Sequence, residues 1–345
     1  MNIVLGSDIF PGSGGVARYC SEISSVLKKE HNVTILSYLD AKPGKIVRKK
    51  IRGINVIRLE RERINKFIDQ NSDKIDLFIG RTYLYLEAIS KINEKALYVV
   101  PSLRTAYVEN KKGLTKKQGK EIIETEKKGL KKIEKIVFPT KSMKKRTEKE
   151  YGLKKGVVIH PGVNLKLFKP CQKKKYDVIC VSNFNDARKG IDKLIEAARF
   201  SKANFIVLGD GSLRTELEDL IKKYSLGKRF SLIGRKPSHK HINNAKIYVL
   251  PSRDEAIGNV LLEAMASGIP CIAFKPDGKK IKTSSDEVII NGKTGFLVKD
   301  EKEMSEKIDL LLKDGSLREK MGRQAREQIE KYSWETTAKK ILSLV

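Results

Sequence analysis

Residues 177–209 read DVICVSNFNDARKGIDKLIEAARFSKANFIVLG and contain the pattern that decides the fold. Short apolar runs predict strands at Asp177–Val181 and Asn204–Gly209, and the stretch between them predicts a helix at Lys189–Phe200. A strand, a helix and a second strand in this order form a βαβ unit, whose strands lie parallel in one sheet.

The same alternation continues on both sides of this unit. Strands are predicted at Asn2–Gly6, Asn32–Ser37, Asn55–Leu59, Asp76–Gly80, Ala96–Val100, Ile136–Pro139, Val157–His160, Phe230–Ile233, Ile247–Leu250, Pro270–Phe274 and Gly295–Val298. Helical patterns lie between most of them, including Gly15–Lys29, Ser212–Tyr224 and Gly258–Ser267. The sequence therefore predicts an α/β protein with two doubly wound, Rossmann-like domains that face a central cleft.

The two series of strands are separated by residues 161–175, PGVNLKLFKPCQKKK, where prolines and a lysine run break the pattern. A chain of 345 residues is long enough for two hydrophobic cores. We predict an N-terminal domain over 1–163, a linker over 164–175 and a C-terminal domain over 176–332. The last residues, 333–345, are expected to form a helix that packs back on the N-terminal domain.

The composition argues against a zinc site, a disulfide framework, a signal peptide and a membrane span. The four cysteines form no Cys-x-x-Cys pair, which argues against a zinc site or a disulfide framework and fits a reducing cytosol. Residues 1–6 lack the charged start and long apolar stretch of a signal peptide. The long run 256–274, which has a single charge, contains glycines and a proline, so it predicts a buried helix, a turn and a strand rather than a membrane span.

Glu263 is the only charged residue in the run 256–274. A carboxylate in such surroundings must be neutralised, hydrogen-bonded or placed at the wall of a cleft. One interpretation is a structural Glu that bonds nearby backbone or hydroxyl groups. The other is a carboxylate that accepts two hydrogen bonds from a vicinal diol, such as that of a ribose.

Glu255 follows a predicted buried strand and precedes a helix that begins near Gly258. The free backbone N–H groups at a helix start make an anion site. The segment therefore offers a seat for a phosphate between two carboxylates.

Residues 251–270, PSRDEAIGNVLLEAMASGIP, resemble the signature of the retaining glycosyltransferases of family 4, the group 1 glycosyltransferases, which have the GT-B fold. Further similar segments are the 11–15 loop, HPGVNLKLFKP at 160–170, ARKGIDKLIEAA at 187–198, VLGDGSLRTEL at 207–217, NGKTGFLV at 291–298 and YSWETTAKKIL at 332–342. The resemblance implies a retaining hexosyl transfer from a nucleotide sugar, such as a UDP- or GDP-sugar, with no further cofactor.

The resemblance also implies roles for individual residues. Glu255 would contact the donor sugar, Glu263 the ribose, and Lys189, with Arg188 beside it, the donor diphosphate. Further donor-binding candidates are Ile257, Gly258, Asn259, Val260, Asn183, Arg235, Gly14 and Gly15. Asn183 stands where the family usually has an arginine, and Arg188 is expected to compensate. Gly80-Arg81-Thr82 and Pro101-Ser-Leu-Arg104 occupy the places where the family often carries a first-domain histidine.

Other chemistries fit the sequence less well. No Asp-x-Asp motif occurs, so the diphosphate is expected to be stabilised without a metal ion. The 12–17 segment satisfies Gly-x-Gly-x-x-Ala, but residues 7–11 separate it from the strand, unlike a nicotinamide-binding turn. Two alternatives remain: a GT-B-like nucleotide-sugar epimerase, and a degenerate non-catalytic member that binds anionic surfaces or a partner.

The net charge of +29 implies either an anionic partner or a lysine-rich proteome, and the second does not explain why the charge is uneven along the chain. Residues 1–170 hold 37 basic and 18 acidic residues, a balance of +19, and segment 111–155 alone holds 17 and 6. On a helix, an apolar face there would lie opposite a basic one; the apolar residues are Ile122, Ile123, Leu130, Ile133 and Val137, and the basic residues are Lys116, Lys120, Lys127, Lys131 and Lys135. The bland interpretation is a packed helix with solvated lysines.

The functional interpretation of this segment is docking at an anionic membrane surface. The acceptor would then be a glycan or a polyprenyl- or phospholipid, and the protein would be cytoplasmic and peripheral on the inner face of the cell membrane. Nucleic acid is not expected, because aromatic residues are scarce in the segment and no nucleic-acid motif is present.

Overall fold

The computed structural model describes residues 1–12, 14–39, 41–105, 108 and 114–345. The chain divides into two compact units. The first unit comprises Met1–Gly162 together with Trp334–Val345, and the second comprises Val163–Ser333. Ser13, Lys111 and Lys112, which belong to two of the segments singled out above, lie outside the described residues.

The first unit is built on one sheet. Its strands are β1 (Asn2–Gly6), β2 (Asn32–Ser37), β3 (Val47–Ile51), β4 (Ile54–Arg58), β5 (Leu77–Gly80), β6 (Ala96–Val99), β7 (Ile136–Phe138) and β8 (Val157–Val158). Over the described ranges they form an eight-stranded sheet in the order β3-β4-β2-β1-β5-β6-β7-β8. Only the β3–β4 pairing among these is antiparallel.

Helices cover both faces of this sheet. They are α1 (Gly15–Leu27), α2 (Ile64–Asn71), α3 (Leu86–Lys91), α4 (Lys116–Lys132), α5 (Lys141–Tyr151) and, from the chain end, α12 (Trp334–Leu342). Because side chains alternate along a strand, Leu77 and Ile79 pack on one face with α1 and α12, while Phe78 packs on the other with α3 and α4. The ring of Trp334 meets Tyr19 of α1 edge-on at 5.1 Å between centroids.

The second unit contains a second sheet. Its strands are β9 (Tyr176–Val181), β10 (Phe205–Leu208), β11 (Phe230–Leu232), β12 (Ala245–Leu250), β14 (Cys271–Phe274) and β16 (Gly295–Val298). They pair in parallel in the order β11-β10-β9-β12-β14-β16. A separate short ladder joins β13 (Asp254–Glu255) to β15 (Lys282–Thr283).

The helices of the second unit are α6 (Ile191–Ala198), α7 (Arg214–Lys223), α8 (Ser238–Ile242), α9 (Asn259–Ala266), α10 (Glu301–Lys313) and α11 (Gly315–Ile329). Short 3₁₀ turns lie at Ala187–Lys189 and Ser285–Glu287 here, and at Arg61–Arg63, Ser72–Lys74, Tyr83–Tyr85 and Asn93–Lys95 in the first unit. Residues 164–175 belong to this unit: Phe168 is buried, and Arg326 Nη1 donates to its carbonyl at 2.9 Å.

The predicted α/β class with parallel sheets is confirmed, and most predicted strands lie within a few residues of their observed bounds. Strand β3 was not predicted, because its sequence VRKKI is an exposed edge with no apolar run. It turns into β4 through Arg52 (φ 51°) and Gly53 (φ 77°), the two positive φ angles that a tight hairpin requires.

The expected amphipathic helix of segment 111–155 needs a correction. Helix α4 ends at Lys132 with Ile133 as its cap, so Val137 and Lys135 are not on it. Val137 is fully buried in β7, where the sheet rather than a helix face surrounds it. None of the described helices has both the length and the apolar composition that crossing a bilayer requires.

Candidate active site

The second unit holds Glu255 in a short, well-tethered segment after β12. Glu255 pairs with Thr283 in the β13–β15 ladder, and the amide of Ser284 donates to the carbonyl of Ala256 at 2.9 Å. A loop that leaves a parallel strand at its carboxyl end is the usual place for a ligand site in an open α/β sheet. Backbone pairing therefore fixes the loop that carries the first carboxylate.

The carboxylate of Glu255 is held by two side chains. Lys189 Nζ lies 2.9 Å from Oε1, and the hydroxyl of Ser252 donates to Oε2 at 2.8 Å. Both partners of the ion pair are about one-fifth exposed, so solvent screens them only in part. The structure thus brings together two of the residues that the sequence assigned to the donor site.

Gly190 explains why Lys189 comes so close to the Glu255 loop. Its φ is 69°, and a Cβ at this position would lie 2.0 Å from the carbonyl oxygen of Pro251. Only glycine permits this approach of the two backbones. The amide of Arg253 then donates to the carbonyl of Arg188 at 2.7 Å, which ties the two loops together.

Arg188 is engaged by a carboxylate of its own turn. Its Nη2 lies 2.7 Å from Asp186 Oδ2, and its Nε lies 2.9 Å from Oδ1. Burial alone would raise the pKa of Asp186, but hydrogen bonds and charge from Arg188 outweigh burial and lower it. The Arg188 guanidinium is therefore already charge-compensated, which the sequence analysis did not foresee although Asp186 lies only two positions away.

The start of α9 lies beside the same carboxylate. Gly258 precedes the helix with a φ of 68°, and a Cβ there would lie 3.4 Å from Glu255 Cδ. The first amides of a helix, here those of Asn259 and Val260, have no partner within the helix and attract anions. Ile257 is 2% exposed and packs in the core, so its side chain is not available to a ligand.

Glu263 lies on α9 and is 3% exposed. The hydroxyl of Ser238, at the start of α8, lies 3.4 Å from its Oε2. Tyr248 on β12 was not singled out from the sequence; its buried hydroxyl has no hydrogen-bond partner among the described residues. Burial raises the pKa of Tyr248, and the charges of Glu255 and Glu263 act in the same direction.

The remaining candidates are more dispersed. Asn183 uses its side-chain oxygen to accept from the amide of Asn185 at 3.3 Å. Arg235 is exposed after β11. Gly14 and Gly15 belong to the first unit, where a Cβ on either would meet no atom within 4 Å. Among the described residues, no group of three or more His, Cys, Asp or Glu side chains is arranged to hold a metal ion.

Ser252, Asp186 and Tyr248 are the parts of this site that the sequence analysis missed. Ser252 and Asp186 carry a local signal, because each is three or fewer positions from the charged residue that it contacts. Tyr248 carries none, because a tyrosine in a buried strand looks like core.

Two known families match the chain. The family described as Glycosyl transferases group 1 matches residues 141–328, and the family described as Glycosyltransferase Family 4 matches residues 13–167. An uncharacterised glycosyltransferase of Methanocaldococcus jannaschii is 26% identical over 97% of this chain and 95% of its own.

Two solved structures share the fold over nearly their whole length. Sucrose-phosphate synthase from Thermosynechococcus elongatus has a TM-score of 0.81 at 20% identity, covering 99% of this chain and 98% of its own. HepE of Anabaena in complex with UDP and glucose has a TM-score of 0.79 at 15% identity, covering 100% and 99%. The chain belongs to the group 1 glycosyl transferases and is a glycosyltransferase with the GT-B fold.

Proposed function

We propose that this glycosyltransferase moves a hexose from a nucleotide sugar to its acceptor with retention of configuration and without a metal ion. The observation that carries the proposal is the Lys189–Glu255 pair, 2.9 Å apart, beside the start of α9. A cation, helix amides and a carboxylate in one place match a diphosphate joined to a polyhydroxylated sugar. The HepE structure with UDP and glucose supports the choice of a UDP-sugar as donor.

In this proposal Lys189 and the amides of Asn259 and Val260 bind the diphosphate, and Glu255 accepts hydrogen bonds from the sugar. Glu263 accepts hydrogen bonds from the two ribose hydroxyls in place of its present contact with Ser238. Positive groups already in position stabilise the negative charge that grows on the leaving diphosphate. Arg188 can bind the diphosphate only if it breaks part of its contact with Asp186.

Retention requires no base from the protein. The bond between the anomeric carbon and the phosphate oxygen breaks, and a bond from the acceptor oxygen forms on the same face of the sugar. The acceptor hydroxyl gives its proton to the departing phosphate oxygen, so charge and atoms balance. The part of the protein is to hold the acceptor hydroxyl on the same face of the sugar as the departing phosphate oxygen and to stabilise the diphosphate.

The acceptor is assigned to the first unit. Helix α4 buries Gly119, Glu126 and Leu130 and leaves a run of lysines exposed. The exposed lysines are Lys116, Lys117, Lys120, Lys128, Lys131 and Lys132. Such a face attracts an anionic glycan or the surface of an anionic membrane, where a polyprenyl- or phospholipid acceptor would be met by a cytoplasmic, peripheral enzyme.

A thermal-shift panel of UDP, GDP, ADP and TDP, followed by an assay of sugar transfer and donor hydrolysis, tests the function. A nucleotide present at about 100 times its Kd is expected to add about 2.7 kcal/mol to the free energy of unfolding. Lys189→Gln should lose most of this shift. Lys246→Gln, which removes a lysine paired with Asp177 at 2.8 Å in the same unit, is the matched control. A shift that is equal in both variants contradicts the assigned site.

A further inference from the structure

A second polar cluster lies in the first unit, at the carboxyl end of the parallel strands. Arg81 follows β5 directly and is 8% exposed. Its Cζ lies 4.0 Å from the ring centroid of Tyr19, and its Nε is buried without a hydrogen-bond partner among the described residues. No carboxylate of the described ranges lies within ion-pair distance of it.

A buried guanidinium without a counter-ion is unusual. Buried charges in proteins are almost always paired, because removal from water is costly. Stacking on Tyr19 recovers part of that cost, but the ring provides no hydrogen-bond acceptor for Nε. Buried donors left without a partner call for a ligand that the protein itself does not supply.

Arg104 lies near the same place and is held there. It follows β6, and its Cζ lies 3.9 Å from the ring centroid of Tyr83. Its amide donates to the buried Glu126 at 2.7 Å, and the hydroxyl of Tyr151 donates to the same carboxylate oxygen at 2.5 Å. A buried carboxylate on α4 therefore fixes the loop that carries Arg104.

The two arginines belong to neighbouring segments. Arg81 and Arg104 follow the paired strands β5 and β6, and Arg104 lies over the ring of Tyr83, two positions after Arg81. The hydroxyl of Tyr98 on β6 is buried and has no hydrogen-bond partner among the described residues. Burial raises the pKa of Tyr98, whereas the charges of Arg104 and Arg81 both act to lower it.

We propose that Arg81 and Arg104 form a subsite that binds a phosphate group carried by the acceptor. Two guanidinium groups match the charge of a phosphate monoester and can each donate two parallel hydrogen bonds to it. The inference rests on the proposed function and deepens it, because it assigns a chemical class to the acceptor. The site differs from the lysines of α4, whose exposed charges attract any anionic surface without regard to geometry.

The test uses the full chain saturated with whichever nucleoside diphosphate stabilises it, so that phosphate cannot enter the donor site. Glycerol 3-phosphate is titrated by calorimetry, with glycerol as the uncharged control. Arg81→Gln and Arg104→Gln are each expected to weaken binding about 10- to 100-fold, as for the loss of charge-assisted hydrogen bonds. Lys74→Gln removes an exposed charge from the turn before β5, at the opposite end of that strand from Arg81, and should change Kd less than about twofold.

A second arm separates soluble from lipid-borne phosphate. Binding to vesicles of neutral lipid is compared with binding to the same vesicles after phosphatidic acid is added. Both are measured at high salt, where the lysines of α4 are screened. Dependence on Arg81 or Arg104 with glycerol 3-phosphate supports a soluble acceptor, and the same dependence with vesicles alone supports a lipid. Binding that is indifferent to both arginines in both arms overturns the inference.

Two checks distinguish failure of the phosphate subsite from misfolding of a variant and from failure of the proposed function. Each variant must retain the nucleotide affinity of the wild type, which shows that the second unit is intact. If Arg81→Gln does not fold, two other variants test whether the arginines bind phosphate. These are Arg104→Gln, at a half-buried position, and Arg81→Lys, which conserves the charge. A wild-type chain that binds none of the four nucleotides contradicts the proposed function, whereas intact nucleotide binding with no role for the arginines contradicts this inference alone.

Discussion

The two units treat charge differently at the carboxyl ends of their strands. In the second unit the cations near the site are paired: Lys189 with Glu255, Arg188 with Asp186, and Arg253 with Asp192. In the first unit Arg81 is buried with no ion pair among the described residues. The second unit thus compensates these cations within the protein, whereas the first unit leaves Arg81 without a counter-ion among the described residues; this difference is what the proposed donor and acceptor sites would require.

The charge balance along the chain follows the same division. Residues 1–170 carry +19 of the net +29, from 37 basic and 18 acidic residues. An excess of one sign increases the rate at which an oppositely charged partner arrives, while paired charges give geometry rather than attraction. The predictions below test this division, from the largest expected effect to the smallest.

The strongest effect is expected from the paired cation of the second unit. Lys189→Gln should lower the rate of sugar transfer about 10²- to 10³-fold, as for the loss of a donor that stabilises developing charge. Glu255→Gln should lower the rate by a similar factor, because the carboxylate pairs with Lys189 and, in the proposed mechanism, accepts hydrogen bonds from the sugar. Steady-state kinetics measures both effects, with Lys246→Gln as the control. A loss of less than about threefold in both variants would show that the pair is structural.

Glu263→Ala should weaken nucleotide binding by roughly 1.5–3 kcal/mol, partly offset by relief of burial. The reason is the loss of an acceptor for the ribose hydroxyls from a helix that is otherwise apolar. Calorimetry on the folded variant measures the change. Glu196→Ala, which removes a carboxylate paired with Lys193 in the same unit, is the matched control. Unchanged nucleoside-diphosphate affinity would make Glu263 structural.

The lysines of α4 test the excess charge of the first unit. Each contributes at most about 1 kcal/mol near an anionic surface, and the effect falls off within roughly 8 Å at physiological salt. Replacing Lys116, Lys117, Lys120, Lys128 and Lys131 by Gln should lower binding to anionic liposomes about tenfold and leave nucleotide affinity unchanged. Co-sedimentation across a salt series measures this.

The choice of lysines follows from the structure. Lys127 lies 3.9 Å from Glu124, and Lys135 donates to the carbonyl of Glu94 at 2.8 Å. Because these two lysines are engaged in contacts within the protein, they are expected to contribute less to binding an anionic surface. The double variant Lys127→Gln with Lys135→Gln is therefore the control. If the wild-type protein does not bind anionic liposomes at low salt, the surplus of lysines reflects a bias in composition and not a membrane-binding surface.

The smallest effect is expected from removing divalent metal ions. Sugar transfer should survive exhaustive chelation with EDTA, because Lys189 and the start of α9 already provide positive potential for the diphosphate. The assay compares chelated enzyme with samples to which magnesium or manganese is returned. Loss of transfer on chelation, with recovery by one metal, would contradict the metal-free mechanism. It would show that the diphosphate also needs a bound metal ion.

Local pattern was sufficient for the architecture and for part of the site. Apolar runs placed the central strands because a parallel strand buried on both faces must be apolar. The edge strand β3, in contrast, was missed because its exposed side chains leave no pattern. The family resemblance is confirmed, and it directed attention to Glu255, Glu263 and Lys189. Their individual roles remain predictions.

Other features of the site have no local signature. Glu126 sits in a lysine-rich segment, yet it is 1% exposed and holds the Arg104 loop. Its burial depends on Tyr151, which comes from the next helix. Neither residue type nor spacing signals such a contact, because the partners are distant in sequence and their orientation depends on how the helices pack.

The sequence by itself determined the α/β class and the family and supplied the candidate residues for binding a nucleotide sugar, because hydrophobic periodicity and short motifs are local properties of the chain. Only the tertiary structure decided which charges distant in sequence are paired. Lys189 meets Glu255 because Gly190 lets two loops approach, whereas Arg81 ends on the ring of Tyr19. Such pairing depends on distances between segments far apart in sequence, and folding alone sets those distances.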